Sequence, residues 1–277
     1  MSRIQKNETN GFYKKFTQLT SDIRENKPDL ATPFKIEFLK ELIPTGKVYK
    51  FIGLEDKANG KLTTLEENKI WCSYFSTLND ETEFDIQYDE DIVSESTGKS
   101  KQFIKFFIEL LKEQYDVYSL SYRYENYMWK SYANNGNGIC IEFNVEDYDY
   151  LFPVEYCNKR NNYFTDAVIN TLHGNISSQC LAVIPWVLKN SYNETTQIDS
   201  TKEKEVRILS CPFEEGHKLE YIKLDPLIKN KLGYEGESVP IINYGLSISK
   251  VIIGERISEP DRKRVIEYCQ KNKIQYE

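Results

Sequence analysis

Glu203, Glu205 and Arg207 recur at every second position of Glu203-Lys-Glu-Val-Arg-Ile-Leu-Ser-Cys211. On a strand, alternate residues share a face, so two carboxylates and a guanidinium are expected to project together. A carboxylate set against a cation that forms only in a transition state lowers the barrier selectively. The arginine fork suits a phosphate. The plainer reading of the same trio is an ion-paired ladder on a solvated strand face, where such pairs are energetically weak. Asp80 and Glu83 could join Glu203 and Glu205 as a carboxylate cluster holding two ions in a metal-dependent nuclease. The run Asp80, Glu81, Glu83, Asp85 does not have calcium-loop spacing, however, and Asn79-Asp80 reads as an Asx-type turn in a polar loop. His173 and His217 have no ligand partners nearby in sequence and read as surface or structural residues.

The densest constraint lies between Ser119 and Phe143. Val117–Tyr122 alternates as a half-buried strand. Glu125–Ala133 then changes to helical spacing, with Met128, Trp129 and Tyr132 on one face. These side chains read as core packing, with a stacking wall as the alternative. Asn134-Asn-Gly-Asn-Gly138 ends the helix, because Asn and Gly accept the left-handed conformation. Gly136 and Gly138 therefore cap and turn and are not a phosphate-binding loop.

The elements that must position these residues follow in order. Residues 11–43 read as two helices, the second opened by Thr32 as N-cap and Pro33 at the first helical position. Strands are expected at 47–52, 69–75, 117–122, 138–143 and 205–211, with shorter ones at 154–156 and 250–254. A short helix is expected at 64–68, where Thr64 and Glu67 have capping-box spacing. Residues 85–101 read as a charged loop. Phe103, Ile104, Phe106, Phe107, Leu110 and Leu111 mark an amphipathic helix, 161–189 a mostly helical insert, and Ser258-Glu-Pro-Asp261 the start of a last helix with Val265, Ile266 and Cys269 inward. Without a regular βαβ beat the class is α+β: mixed or antiparallel sheets around a cleft, flanked by helices. The organisation expected is a helical extension over 1–44 and a single α+β domain over 45–277.

Composition narrows the function classes. The chain has 277 residues, of which 40% are apolar and 29% charged, which excludes a disordered chain. A net charge of -7 argues against general nucleic-acid binding. Cys72, Cys140, Cys157, Cys180, Cys211 and Cys269 are scattered singly, so reduced, mostly buried thiols in a cytoplasmic protein are expected, with no metal. The first ten residues have no apolar signal region, and Cys180–Leu188 is too short to span a bilayer, so neither export nor a membrane partner is expected.

Val48-Tyr-Lys-Phe51, Ile70-Trp-Cys-Ser73, Leu78-Asn-Asp80 with Glu83, Leu120-Ser121, Met128-Trp129 with Tyr132-Ala133, Gly138–Ile141 with Phe143, Val154 with Tyr156, Glu203-x-Glu205-x-Arg207 and Ile252–Gly254 occur in the order of a bacterial and phage family. That family is the domain of unknown function 2971, and the resemblance is read over residues 47–265. Glu81 and Thr82 depart from its usual Asn-Asp-Pro-Phe-Glu. Ser131 and Gly136 stand where it commonly carries histidines.

More distantly, the order of motifs resembles ADP-ribosyltransferases of the abortive-infection type. That resemblance implies NAD as the substrate, a fold of that kind and a role in phage defence or as a toxin, with the acceptor and the oligomeric state left open. By residue it implies Tyr49 and Lys50 in the first element, Ser119 and Ser121 in the second, and Glu205, helped by Glu203, as the catalytic carboxylate. Trp129 and Tyr132 would flank the nicotinamide, Arg207 would take a phosphate and Lys50 the pyrophosphate. The alternative class is a non-catalytic module whose aromatic cleft holds a ligand or a partner peptide.

Overall fold

The structure is a computed structural model that describes residues 11–20, 30–54, 58–74, 77–78, 86–112, 114–157, 164–176, 178–193, 198–210 and 233–277. Its elements begin with helices α1 (Phe12–Leu19) and α2 (Ala31–Leu42), strand β1 (Lys47–Gly53), α3 (Ala58–Glu66) and β2 (Lys69–Ser73). Then come α4 (Glu90–Thr97), α5 (Lys101–Lys112), β3 (Asp116–Ser121), α6 (Asn126–Tyr132) and β4 (Gly138–Val145). Next are β5 (Leu151–Pro153), β6 (Glu155–Cys157), α7 (Thr165–Leu172), α8 (Ser178–Val187) and β7 (Leu188–Asn190). The remainder is β8 (Tyr192–Asn193), β9 (Ile198–Asp199), β10 (Glu205–Ser210), β11 (Gly236–Pro240), β12 (Leu246–Ile253), α9 (Glu259–Asn272) and β13 (Gln275–Tyr276).

The main sheet is open and mostly antiparallel, in the order β11-β2-β3-β1-β4-β12-β13. The class is α+β, as the sequence predicts. β10 runs along all six residues of β3, so β1 and β2 must share the opposite edge of that strand. They do so at its two ends, β2 through Ser73 opposite Val117 and β1 through Tyr49 opposite Ser121. The sheet therefore forks along β3. Midway between the two bridges the carbonyl of Ser119 accepts a hydrogen bond of 2.9 Å from Lys50 Nζ.

One face of the sheet buries Val48, Tyr118, Leu120, Ile141 and Val206 against α2, α3 and α9. On the other face Val117 and Leu209 pack with α1, α4, α5, α7 and α8 around the fully buried Trp186. A third, smaller cluster sets Phe51 and Cys140 against Met128 and Ala133 at α6. The N-terminal helices contribute to both large cores, α1 through Phe12 and Tyr13 and α2 through Leu39. The buried carboxylate of Glu155 caps α1, accepting from Gly11 N at 2.8 Å and Tyr13 N at 3.1 Å.

Several boundaries differ from the sequence reading. α2 starts at Ala31 after Leu30, so Thr32 is not its N-cap; Pro33 is tolerated because the first turn has no use for its missing N–H. The helix expected at 64–68 is α3, and it ends there. Thr64 Oγ1 donates to Gly60 O at 3.0 Å, back into the preceding turn, and Asn68 takes a left-handed φ of 56° to enter β2. Part of the expected 85–101 loop is helix α4, because Asp89 accepts from both Asp91 N and Ile92 N at 3.0 Å. α5 turns Ile104, Ile108 and Leu111 inward and leaves Phe103 and Phe106 exposed. The last helix follows its sequence signals: Ser258 caps it, and Val265 and Cys269 are buried. No helix among the described residues is long and apolar enough to cross a membrane.

Candidate active site

β10 opens at Glu205, and the residue before it, Lys204, has a φ of 51°. Glu203 lies in the single turn Ser200–Glu203, so strand alternation does not carry it to its place; this corrects the three-residue ladder read from sequence. The left-handed step at Lys204 and a third element bring the two carboxylates together. That element is β7, where Lys189 lies 2.7 Å from Glu203 Oε2 and 3.3 Å from Glu205 Oε2.

Both carboxylates are buried, so the ladder on a solvated face does not describe them. Arg207 Nε donates to Glu205 Oε1 at 2.7 Å, and Arg207 Nη1 donates to the carbonyl of Trp186 at 2.6 Å. Ser119, the cross-strand neighbour of Arg207, adds a side-chain hydrogen bond to Glu205. The Glu205 N–H donates to the hydroxyl of Tyr156 at 3.0 Å. On the other carboxylate, Glu203 Oε1 accepts from Tyr132 at 2.6 Å. Ser121 Oγ lies 2.7 Å from the carbonyl oxygens of Glu203 and Arg123, tying the turn to the end of β3.

The two acids are pushed in opposite directions. Burial raises Glu205, but the charges of Arg207 and Lys189 outweigh it and hold the carboxyl well below the usual range. Burial also raises Glu203; Lys189 offsets only part of this, the charge of Glu205 adds to it, and the net shift is upward. Adjacent carboxyls with separated proton affinities are the pattern of acid–base work. Burial, then Glu203, drives the Tyr132 phenol upward, so it stays a donor.

Tyr49 and Lys50 point to opposite faces of β1. Tyr49 shares its face with Phe51 and, through its pairing with Ser121, with the carboxylate side of β3 and β10. Its ring meets Tyr124 edge-on at 5.7 Å, and burial and then Glu142 raise its hydroxyl to about 12. Lys50 leaves on the main-core side, 4.5 Å over the ring of Tyr118, and reaches the site only through the fork. Burial lowers it to about 8, partly offset by Glu205.

Along α6 the three positions expected on one face divide. Met128 is buried, Trp129 is half-buried edge-on to Phe51 at 5.5 Å, and Tyr132 is 42% exposed although its hydroxyl reaches a buried acid. Trp129 Nε1 donates to Tyr124 at 2.8 Å. Asn134, Asn135 and Gly136 then take φ values of 47°, 55° and 90°, the left-handed stop expected from sequence. Behind it the chain is tight: a Cβ on Gly138 would lie 2.2 Å from Ile52 O.

Tyr49, Ser119, Ser121, Glu203, Glu205 and Arg207 thus gather on one side of the fork, with Tyr132 over them. Lys189 and Tyr156 are the residues that sequence reasoning missed. The available signal for Lys189 was that a lone cation closes the apolar run Cys180–Leu188. Asn79, Asp80, Glu81, Glu83, Asp85 and His217 lie outside the described residues. His173 is exposed at the end of α7. Cys72, Cys140, Cys180 and Cys269 are buried. Among the described residues no group of three His, Cys, Asp or Glu could hold a metal ion.

Residues 128–237 match the family model described as Protein of unknown function (DUF2971). The matched span, narrower than residues 47–265, contains Trp129, Tyr132, Lys189, Glu203, Glu205 and Arg207. No curated protein and no solved structure matches the chain.

Proposed function

We propose that the chain is an NAD-dependent ADP-ribosyltransferase-like enzyme, with its site on the fork where Glu205 lies under Tyr49, Ser119 and Tyr132. The observation that carries this reading is the buried pairing of Glu205 with Arg207 at 2.7 Å and Lys189 at 3.3 Å, which favours its ionised form. When the bond between ribose and nicotinamide breaks, positive charge develops on the ribosyl ring. A preorganised anion beside it stabilises charge that the ground state lacks. The half-buried rings of Tyr49 and Trp129 and the exposed ring of Tyr132 offer stacking faces for a planar base. Lys50 lies on the opposite face of the sheet and is engaged by Ser119 O, so the pyrophosphate role expected of it is not part of the proposal. A role in phage defence belongs to the same proposal.

Nicotinamide release from NAD by the purified chain, with protein, DNA and RNA acceptors supplied in turn, tests it. The expected result is release by the wild type and a loss on the order of a hundred- to a thousandfold in Glu205→Gln, as for removal of one preorganised electrostatic group. No release with any acceptor sinks the reading. Phage plating on cells expressing each form tests the defence role.

One observation favours a second reading, a ligand-binding module. Glu203 and Glu205 already accept hydrogen bonds from protein donors at all four carboxylate oxygens, so the cluster is satisfied with no substrate present. Tight NAD binding without turnover selects it.

A further inference from the structure

Both backbone polar groups of Glu205 find partners in one short stretch of chain. Its carbonyl accepts from Val154 N at 3.1 Å, and its N–H donates to the hydroxyl of Tyr156 at 3.0 Å. The residue between those two partners is Glu155. It is buried, and on an extended chain its side chain points away from that of Tyr156 and so away from the site. There its carboxylate receives the first turn of α1, at Gly11 N and Tyr13 N. Tyr13, itself fully buried, donates from its hydroxyl to the carbonyl of Pro153 at 2.6 Å, one residue before Val154.

The same helix reaches the other chain that builds the site. Thr20 Oγ1, just past the end of α1, lies 3.3 Å from Cys180 Sγ of α8, and Phe12, Tyr13 and Phe16 share a core with Leu181, Ile184 and Trp186. Trp186 lends its carbonyl to Arg207, and α8 runs directly into β7, whose Lys189 stands opposite Tyr156 in the β6–β7 ladder. Helix α1 therefore straddles the two segments that deliver Tyr156 and Lys189 to the carboxylates.

We propose that Glu155 is a positioning residue and that α1 is a clamp on the site: by holding the helix N-terminus, Glu155 keeps residues 153–156 where they fix the backbone of Glu205 and the reach of Lys189. Glu155 touches no reacting atom and acts through the strand. A cap that served its helix alone would come from the residue just before it, as Asp89 does for α4. Here the acceptor comes from 144 residues away, and from the position between the two holders of Glu205. Two N–H groups on one buried carboxylate make a strong, charge-assisted tie. The proposal rests on the transferase reading only for the reaction that the positioned residues carry out.

Amide hydrogen exchange of the full chain, read residue by residue, tests this in Glu155→Gln and in Tyr13→Phe. Glu155→Gln keeps the size but sets an amide donor against one of the two N–H groups. Tyr13→Phe removes only the hydroxyl bond to Pro153, and it carries the test if Glu155→Gln does not fold. In both, the Val154 and Glu205 amides should exchange about tenfold faster, the usual weight of one such bond, while the β1–β4 ladder keeps its wild-type rates. A rise confined to residues 11–20 overturns the proposal, because Glu155 is then a helix cap and nothing more. An equal rise along β1–β4 in both variants also overturns it. Where nicotinamide release is seen, both variants should lower kcat by about ten- to a hundredfold with KM little changed, as for a reacting group held slightly out of place. Unchanged kcat in both overturns the proposal as well. A wild type that releases no nicotinamide, while the Val154 and Glu205 amides still respond, sinks the transferase reading and leaves the clamp standing.

Discussion

Lys50 and Ser119 close the gap at which the sheet divides: the ammonium of one donates to the carbonyl of the other at 2.9 Å, midway between the places where β2 leaves β3 and β1 joins it. A backbone carbonyl in a fork has lost its ladder partner, and a buried acceptor left unsatisfied is costly. The lysine supplies the missing donor, and burial in turn lowers its proton affinity.

That lowering gives a pH signature with a definite sign. Lys50 titrates near 8 in the folded chain against 10.5 for an ordinary lysine, so between these values the unfolded chain holds the extra proton. Stability therefore gains from this group as pH rises from about 8 towards 10.5, and the full cost of burying its charge is present below that window. Denaturant midpoints over this range should rise more, or fall less, in the wild type than in Lys50→Met. Parallel curves would refute the assignment.

Arg207→Met leaves the buried Glu205 with Lys189 as its one ion-pair partner among the described residues. Breaking a buried pair from one side typically costs about 3 to 5 kcal/mol, because a charge stays behind in a poor solvent. Glu205→Gln in the same background should recover much of that loss. Urea unfolding of the two single variants and the double variant measures the coupling, and simple additivity would contradict it.

Trp129 and Trp186 should separate in the same experiment. Trp186 is fully buried and donates to Lys112 O at 2.9 Å, so Trp186→Ala should cost about 3 to 5 kcal/mol. Trp129 is half-buried, with its edge contact to Phe51 as the main anchor, and Trp129→Ala should cost distinctly less while weakening any ring-stacking ligand. Equal losses would place Trp129 in the core after all.

Two glycine-to-alanine changes should have opposite signs. Gly60 sits in α3 with nothing within 4 Å of an added Cβ, and Gly60→Ala should stabilise by about 0.4 to 1 kcal/mol. At Gly138 the same methyl meets the Ile52 carbonyl at 2.2 Å, backbone that cannot move without parting β1 from β4. Gly138→Ala should lower the melting temperature sharply.

The long strands and the last helix were legible because their signals are local: short apolar runs in β3 and β4, which the structure buries on both faces rather than in alternation, and Ser258 ahead of α9 with Pro260 in its first turn. α4 was missed because its few apolar residues hide a real cap at Asp89. At α3, side-chain spacing placed a start where Thr64 bonds backward. The carboxylate pair was found by an alternation that the chain does not use. Glu203 arrives through a left-handed residue, and its meeting with Glu205 depends on Lys189 from a strand that follows the apolar helix α8. No spacing rule reports a contact of that kind.

The cap on α1 also fixes an order of events. The backbone donors of Gly11 lie 144 residues before the carboxylate that receives them. At a synthesis rate of about 5 to 20 residues per second, that delay is on the order of ten seconds. Through that interval Phe34 and Phe38 of α2 are available to cover Phe12, but Tyr13 waits for Pro153 and Glu155. Helix α1 thus reaches its full docked state only once β6 has been made, long after its own residues.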